Sequence, residues 1–349
     1  MKPTPTRIEP IFSPRIWGAR SLAPLFPEKS NLSEPLGEAW LTGVDCKVAS
    51  GPLAGKTLEE AWVEMPVEWR GEELAAVAEF PLLVKFIFPT DKLSIQVHPD
   101  DAYASAHEKA AGGLGKTEMW HVVSAHSGAQ VLVGLKPGVD KKKFREGLKQ
   151  QTLENMLQAV PVHSGDTLFV PAGTPHTIGA GMVICEVQEY SDLTYRVYDY
   201  GRVDANGKPR ELHIEKALEV MKFGSRAGGK VTPVPLPASG AKRSMLAACR
   251  FFAAERWECF EKTEIPVGPA RFELVAVLEG VGTLSWPESA ARYHQGECWL
   301  VPASQGRIWI QPEAPTSLIR TYVPDVTALR TELHQSGISA AALAQVIFE

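Results

Sequence analysis

The sequence predicts a mainly β protein made of two β-barrel (jelly-roll) units with added helices. Two regions, about 80–200 and 244–323, consist of short runs rich in β-branched and aromatic residues, punctuated by glycine and proline. Runs of this kind at short intervals are typical of sandwiches and barrels. Strand-like and helix-like segments do not alternate regularly in either region, so a doubly wound parallel sheet is not expected.

Several predicted strands can be read in each region. The first contains FPLLVKFIF, KLSIQVHP, EMWHVV, AQVLVGL, GDTLFVPAG and MVICEVQEY, and the second contains FFAAERWECF, FELVAVLEG, VGTLSW, ECWLVPAS and GRIWIQP. Apolar residues recur with helical spacing at about 140–160, 212–223 and 325–348. Asp140 is the expected cap of the first of these helices, and Gly337 is an expected break in the last.

The stretch 224–243 is rich in glycine, proline and serine, which is typical of a linker. We therefore expect a catalytic domain at 1–223 that includes the helical insertion at about 140–160. The linker at 224–243 then leads to a second domain at 244–349 that ends in a helical segment.

An internal repeat supports duplication of one β-unit. GDTLFVPAGTPHTIG begins at Gly165, and GECWLVPASQGRIWI begins at Gly296. Where the first copy places His176, the second places Arg307. The simplest interpretation is two similar units, of which the second is degenerate and lacks the histidine.

Composition excludes several classes of protein. The 349 residues carry a formal net charge of -5, which argues against a nucleic-acid or anionic-membrane surface. Five scattered cysteines without a CxxC pair indicate reduced thiols in a cytoplasmic protein. The N-terminal residues lack the apolar run of a signal peptide, and the longest apolar stretch is too short to span a bilayer.

Four polar side chains form a candidate metal site. In the strand LSIQVH, alternation places Ser94, Gln96 and His98 on one face. That face is either solvent-exposed or turned toward a polar interior. With Glu118 and His176, the set offers nitrogen and oxygen ligands that suit Zn²⁺, but also Fe²⁺, Mn²⁺ or Ni²⁺. Taken singly, each residue also has an ordinary structural explanation, such as a loop cap or a solvated carboxylate.

Several motifs together carry a resemblance to a known family. GDTLFVPAGTPH resembles the Gly-x5-Pro-x-Gly-x2-His signature of the cupin superfamily. LSIQVHPDD, GKTEMWHV, VPAGTPHTIGAG and EYSDLTYRVYDYGR, preceded by EPLGEAW, resemble in order the motifs of type I phosphomannose isomerases, short bacterial form. The resemblance is strong over about residues 8–223 and loose in the second β-region.

This resemblance implies an enzyme that interconverts mannose 6-phosphate and fructose 6-phosphate through an enediol. It implies one zinc ion per chain, bound by Gln96, His98, Glu118 and His176. The implied substrate is a phosphorylated hexose, and no protein, nucleic-acid or membrane partner is implied.

The resemblance also implies the remaining site residues. The family's catalytic arginine corresponds to Arg196, the preceding aspartate to Asp192, and the lysine before the zinc glutamate to Lys116. Substrate-binding residues correspond to Ser94 and Lys85. Arginine stays protonated at physiological pH, so an electrostatic role is expected for Arg196. Lys116 could assist proton transfer or hold phosphate, and Asp192 could orient Arg196. The identity of the general base stays open.

Two other functions fit part of the pattern. Two histidines and one carboxylate are also the ligands of non-haem iron, so an Fe(II)-dependent cupin dioxygenase is one alternative. A non-catalytic sugar-binding cupin is the other. The added Gln96 and the cations Lys116 and Arg196 favour an anionic substrate and a metal without redox chemistry.

Overall fold

The chain folds into two β-units, each made of two facing sheets. The computed structural model describes residues 2–203, 207–224 and 228–349. In the first part of the chain the strands are β1 Thr6–Ile8, β2 Ile11–Ala19, β3 Leu36–Trp40, β4 Leu82–Ile87, β5 Ile95–Val97, β6 Glu118–Ala125, β7 Gln130–Leu135, β8 Leu157–Pro161, β9 Thr167–Val170, β10 His176–Ile178, β11 Met182–Glu189 and β12 Tyr195–Tyr198.

The remaining strands lie after residue 228. They are β13 Gly229–Val231, β14 Val234–Leu236, β15 Ala241–Ala248, β16 Ala253–Cys259, β17 Thr263–Pro266, β18 Glu273–Glu279, β19 Val281–Trp286, β20 Ser289–His294, β21 Cys298–Val301, β22 Arg307–Pro312 and β23 Thr316–Tyr322. The helices are α1 Leu58–Glu64, α2 Val67–Arg70, α3 Asp101–His107, α4 Lys141–Gln150, α5 Ile214–Val220, α6 Val326–Gln335 and α7 Ala340–Leu343. Over the described ranges, no helix is both long enough and apolar enough to cross a bilayer.

The first unit pairs a seven-stranded sheet with a five-stranded one. The larger sheet has the order β13-β9-β6-β11-β4-β3-β2, and the smaller has the order β12-β5-β10-β7-β8. Apolar side chains from both sheets meet in one core, among them Trp120 and Ile184 from the larger sheet and Val131 and Ile178 from the smaller. The second unit repeats this plan with a seven-stranded sheet, β1-β21-β18-β23-β16-β15-β14, and a four-stranded sheet, β17-β22-β19-β20.

The two larger sheets pack against each other. Val84 and Val187 of the first unit share a hydrophobic cluster with Ala276 and Ile319 of the second. Strand β4 is therefore buried on both faces. Alternation along the strand sends Val84 into this contact and turns Lys85 toward the interior of the first unit. A lysine in a buried strand requires a polar partner there, which marks that interior as more than a hydrophobic core.

Strands also occupy the predicted linker. Within 224–243, β13 pairs with β9 of the first unit and β14 pairs with β15 of the second. Near the N-terminus, β1 pairs with β21, so a strand from the predicted first domain completes a sheet of the second unit. The division at 224–243 stays a prediction.

The helices agree with the predicted positions but are shorter. Asp140 caps α4 as expected, since its side chain accepts a hydrogen bond from Lys143 N. The helix ends at Gln150, not near residue 160, because Gln151 has a left-handed backbone with φ 57°. A short 3-10 helix, Leu153–Met156, leads to β8, which pairs with β7 and extends the smaller sheet. At the C-terminus, Gly337, with φ 94°, separates α6 from α7 as predicted.

Candidate metal centre and active site

The smaller sheet of the first unit brings three predicted site residues into one row. Gln96 on β5 lies opposite His176 on β10 and opposite Arg196 on β12. Directly paired residues on neighbouring strands project to the same face of a sheet. The sequence placed Gln96 and His98 together by strand alternation, but only the pairing of β10 and β12 with β5 adds His176 and Arg196.

The larger sheet supplies the carboxylate from the opposite side. Glu118 begins β6 and pairs with Gln188 on β11 and Val170 on β9. It meets the two histidines between the sheets. His98 Nε2 is 3.1 Å from Glu118 Oε1, and His176 Nε2 is 3.8 Å from Glu118 Oε2. One ligand atom from each of the three residues lies within 4.8 Å of the others, and all three residues are buried.

Hydrogen bonds orient both imidazoles for metal binding. His98 Nδ1 lies 2.8 Å from the carbonyl oxygen of Leu193, and His176 Nδ1 lies 2.9 Å from that of Thr174. A carbonyl only accepts, so each Nδ1 carries the proton and each Nε2 keeps a lone pair. These lone pairs face Glu118.

The protonation states agree with a site for a cation. Burial lowers the pKa of His98 to about 3, and burial also lowers that of His176, so both rings are neutral. Burial of Glu118 works in the other direction, but the charge of Lys116 brings its pKa well below the usual value. Within the described part of the chain, no donor has hydrogen-bonding geometry toward Glu118 Oε1. Two imidazole nitrogens that carry lone pairs, beside such a carboxylate oxygen, form a donor set that fits a divalent metal ion.

Gln96 lies beside this cluster. Its Nε2 is 3.3 Å from His176 Nε2, and its Oε1 lies 3.4 Å from Ser94 Oγ. The amide is thus close enough to join a metal bound at His176. Ser94 is buried on the same face of the sheet, as alternation predicts.

A cavity of about 490 Å³ lies next to the cluster, and it is lined by Gln96 and Lys116, which contact His176 and Glu118. All predicted catalytic and substrate-binding residues, together with Gln96, are among those that line it. Its polar lining consists of Arg15, Glu38, Lys85, Ser94, Gln96, Lys116, Trp120, Glu186, Asp192, Thr194, Arg196, Arg210 and His213. The cavity therefore presents several cations to whatever occupies it.

The two lysines of the cavity are held by buried carboxylates. Lys116 Nζ is 2.7 Å from Glu118 Oε1, and Lys85 Nζ is 3.0 Å from Glu186 Oε2. Despite its burial, the charge of Glu186 raises the pKa of Lys85, which stays protonated. Burial and the nearby charge of Glu118 raise the pKa of Glu186.

Arg196 has fewer polar partners. Its Nη1 donates to the carbonyl oxygen of Glu211 at 3.0 Å, while no described residue offers an acceptor to its buried Nε. Burial and the charge of Arg210 lower its pKa. Asp192 also lines the cavity, but among the described residues no ion pair joins it to Arg196. Its orienting role stays a prediction.

Sequence reasoning missed several polar residues of the cavity. Glu186 alternates with Gln188 along the otherwise apolar strand MVICEVQE, and this alternation was a usable signal. Glu38 lies inside the EPLGEAW motif and accepts hydrogen bonds from Arg15 Nη2 at 2.7 Å and Trp40 Nε1 at 2.9 Å. Arg15 comes from a strand far from the motifs, and its sequence carries no comparable signal.

The second unit carries an ion-pair network at the equivalent place. Glu118 pairs with Val170 in the first copy of the repeat, and Glu273 pairs with Val301 in the second. Glu273 accepts from the buried Arg320, whose Nε is 2.6 Å from Glu273 Oε2. Arg307, which replaces the histidine in sequence, is exposed and lies 3.6 Å from Glu264. A guanidinium thus neutralises the carboxylate that corresponds to Glu118.

Comparisons with known proteins agree with this site. A profile of the type I phosphomannose isomerase catalytic domain matches residues 6–128. A mannose-6-phosphate isomerase of Streptococcus mutans is 36% identical over 84% of this chain and 92% of its own length. The crystal structure of the mannose 6-phosphate isomerase from Bacillus subtilis superimposes with a TM-score of 0.82, at 31% identity, over 91% of this chain and 99% of that one.

A more distant structure shares the fold. A zinc-bound mannose 6-phosphate isomerase has a TM-score of 0.69 and 16% identity, over 91% of this chain and 99% of its own. The predicted cupin-type fold is confirmed by these matches. Because relatives above 30% identity cover most of the sequence, the chain belongs to the type I phosphomannose (mannose-6-phosphate) isomerase family.

Proposed function

We propose that this chain is a metal-dependent aldose–ketose isomerase that interconverts mannose 6-phosphate and fructose 6-phosphate. The observation that carries the proposal is the buried cluster of His98, Glu118 and His176, which lies beside a cation-lined cavity that Gln96 and Lys116 border. Membership of the family indicates the substrate, since relatives above 30% identity are named mannose-6-phosphate isomerases.

The proposed metal is one zinc ion per chain. His98, Glu118 and His176 would bind it, and the Gln96 amide oxygen would be the fourth protein ligand. When bound, zinc would act as a Lewis acid that stabilises negative charge on the sugar oxygens of an enediol. Nitrogen and oxygen ligands also accept other divalent ions, so metal identity is part of the test.

The cations of the cavity account for an anionic substrate. We assign Arg196 to electrostatic stabilisation of the enediolate or the phosphate, because no carboxylate among the described residues pairs with its guanidinium. Lys85 on β4 of the larger sheet and Ser94, directly before β5 of the smaller sheet, are proposed to hold the substrate. Asp192 is proposed to orient Arg196 once substrate is bound.

Proton transfer between the two sugar carbons requires a titratable group that touches the cavity. Lys116 and Glu186 both meet this condition. Lys116 lies beside the metal carboxylate, and Glu186 has a raised pKa, which suits a general base near neutral pH. The pH profiles of Lys116→Met and Glu186→Gln show which of the two residues is the base. Only the variant that lacks the base should lose the decrease of kcat at low pH.

Cellular context and domain roles are also proposed. Five buried free cysteines support a reducing, cytoplasmic location. We assign catalysis to residues 1–223 and a supporting role to 244–349, with 224–243 as the connection. A phosphorylated hexose is the proposed ligand of the cavity. No nucleic-acid or membrane partner is proposed.

Metal analysis combined with a coupled isomerase assay tests the function. The purified chain should contain about one zinc per chain, lose activity on mannose 6-phosphate after chelation and regain it with zinc. Oxygen consumption without isomerisation would favour the iron dioxygenase. Sugar-phosphate binding without turnover would favour a non-catalytic binding protein.

A further inference from the structure

Two carboxyl groups hold the backbone on either side of Lys116. Asp101 Oδ1 accepts a hydrogen bond from Gly115 N at 2.9 Å, and Glu189 Oε1 accepts one from Thr117 N at 2.6 Å. These contacts come from different elements, α3 and the end of β11. The backbone orientation that aims Lys116 at the cavity therefore depends on both side chains.

Close packing reinforces this arrangement. The N–H of Lys116 donates to the carbonyl oxygen of Pro99 at 3.0 Å. A Cβ atom on Gly115 would lie 2.6 Å from the backbone at Asp100 and Asp101, which leaves no room for a side chain. Segment 113–117 thus rests directly on the start of α3, and a shift of that contact would move Lys116.

The two carboxyl groups also contact each other. A hydrogen bond joins the Asp101 and Glu189 side chains, and two carboxyl groups can form one only when a proton lies between them. Arg250 Nη2 is 2.8 Å from Asp101 Oδ2, so a cation lies beside Asp101. Glu189 is buried and also faces the Cys249 thiol, whose pKa burial raises to about 11. Because burial raises the pKa of Glu189, the shared proton resides on Glu189.

We propose that Asp101 and Glu189 form a proton-sharing carboxyl pair that positions Lys116 for the isomerase reaction. The proposal rests on the proposed function insofar as Lys116 acts on the substrate. Loss of the shared proton leaves two carboxylates that repel each other. This repulsion weakens their hydrogen bonds to Gly115 N and Thr117 N. Arg250 lies between β15 and β16, so the second unit contributes to this arrangement of the first.

Burial, followed by the charge of Asp101, raises the pKa of Glu189 to about 8. The pair is therefore intact at neutral pH and broken in mildly alkaline solution. In Glu189→Gln the amide oxygen can still accept from Thr117 N, while the amide nitrogen donates to Asp101. This variant imitates the protonated acid at every pH, whereas Glu189→Ala makes neither bond.

The test compares zinc-loaded full-length wild type, Glu189→Gln and Glu189→Ala between pH 6 and 10. Wild-type kcat should fall above about pH 8, and this fall should move by at least one pH unit in Glu189→Gln, with KM changed less than twofold. Glu189→Ala should lose about tenfold in kcat at pH 7. The exposed Glu146→Gln on α4 serves as a control and should follow the wild-type profile.

Hydrogen–deuterium exchange of the peptide spanning 112–119 gives a readout independent of turnover. After correction for intrinsic rates, wild-type protection should drop between pH 7 and 9, and Glu189→Gln should keep it. An unchanged alkaline fall in Glu189→Gln together with equal protection would overturn the proposal. If wild type shows no isomerase activity, the proposed function is wrong. The difference in hydrogen–deuterium exchange between wild type and Glu189→Gln then tests the carboxyl pair by itself.

Discussion

Gln96 and His176 lie directly opposite each other on β5 and β10, with their Nε2 atoms 3.3 Å apart. Because His176 Nδ1 donates to Thr174, its Nε2 accepts from the Gln96 amide. A metal bound at His176 Nε2 would take that lone pair. A half-turn of the amide would then present its oxygen to the same ion, because the pairing of β5 with β10 places Gln96 beside His176.

Replacement of a ligand histidine should remove the metal. We expect His98→Asn and His176→Asn to lower zinc content at least tenfold below wild type, because each deletes one of three clustered ligands. His121 provides a matched control, since it is equally buried but bonds Thr167 Oγ1 at 3.1 Å outside the cluster. His121→Asn should keep zinc, as measured by elemental analysis after dialysis. Zinc retention in both His98→Asn and His176→Asn would contradict the site.

The metal-free protein should lose stability in acid. Burial lowers the pKa of His98 and of His121 to about 3, from 6.5. The unfolded chain therefore binds protons that the folded chain does not, and stability falls as pH drops from 6.5 toward 3. Each such histidine contributes a slope of about 1.4 kcal/mol per pH unit. Urea unfolding at several pH values measures it.

In the same series, His121→Asn should reduce the slope of the unfolding free energy against pH by about 1.4 kcal/mol per pH unit, which corresponds to one proton. An unchanged slope would mean that His121 is already protonated in the folded protein.

Arg196→Ala should impair turnover without loss of zinc. Loss of a preorganised cation at developing negative charge typically costs about 10²–10³ in kcat. Steady-state kinetics with zinc analysis checks both outcomes. Arg292, which is exposed and pairs with Glu313 in the second unit, provides the control, and Arg292→Ala should keep wild-type kcat. A kcat within threefold of wild type in Arg196→Ala would remove Arg196 from the proposed mechanism.

Lys85 should matter to stability as well as to the site. Lys85→Met leaves Glu186 buried without its partner, and the loss of one member of a buried pair typically costs about 3–5 kcal/mol. Lys92 forms a pair of similar length with Glu154 at the surface, where such pairs contribute about 0–1 kcal/mol. Urea denaturation of metal-free Lys85→Met and Lys92→Met measures the free energy of unfolding of each variant. Equal free energies of unfolding would show that Glu186 takes up a proton and needs no partner.

Much of the fold and part of the site were predictable from local sequence patterns. Short β-branched runs between turns are set by local backbone preferences, so the strands of both units could be read directly. Alternation within β5 placed Gln96 and His98 on one face for the same reason. The cap at Asp140 was readable too, but the end of α4 was not, because β8 forms only through its pairing with β7.

The sequence by itself determined the two β-units, the ligand types and, through motif order, the family. Tertiary structure decided which distant residues meet: Glu118 reaches the histidines only because the two sheets of the first unit face each other. It also decided that Lys85 pairs with Glu186, and that Arg15 enters the cavity. These contacts depend on strand register and sheet packing between residues far apart in the chain, and local periodicity carries no information about either.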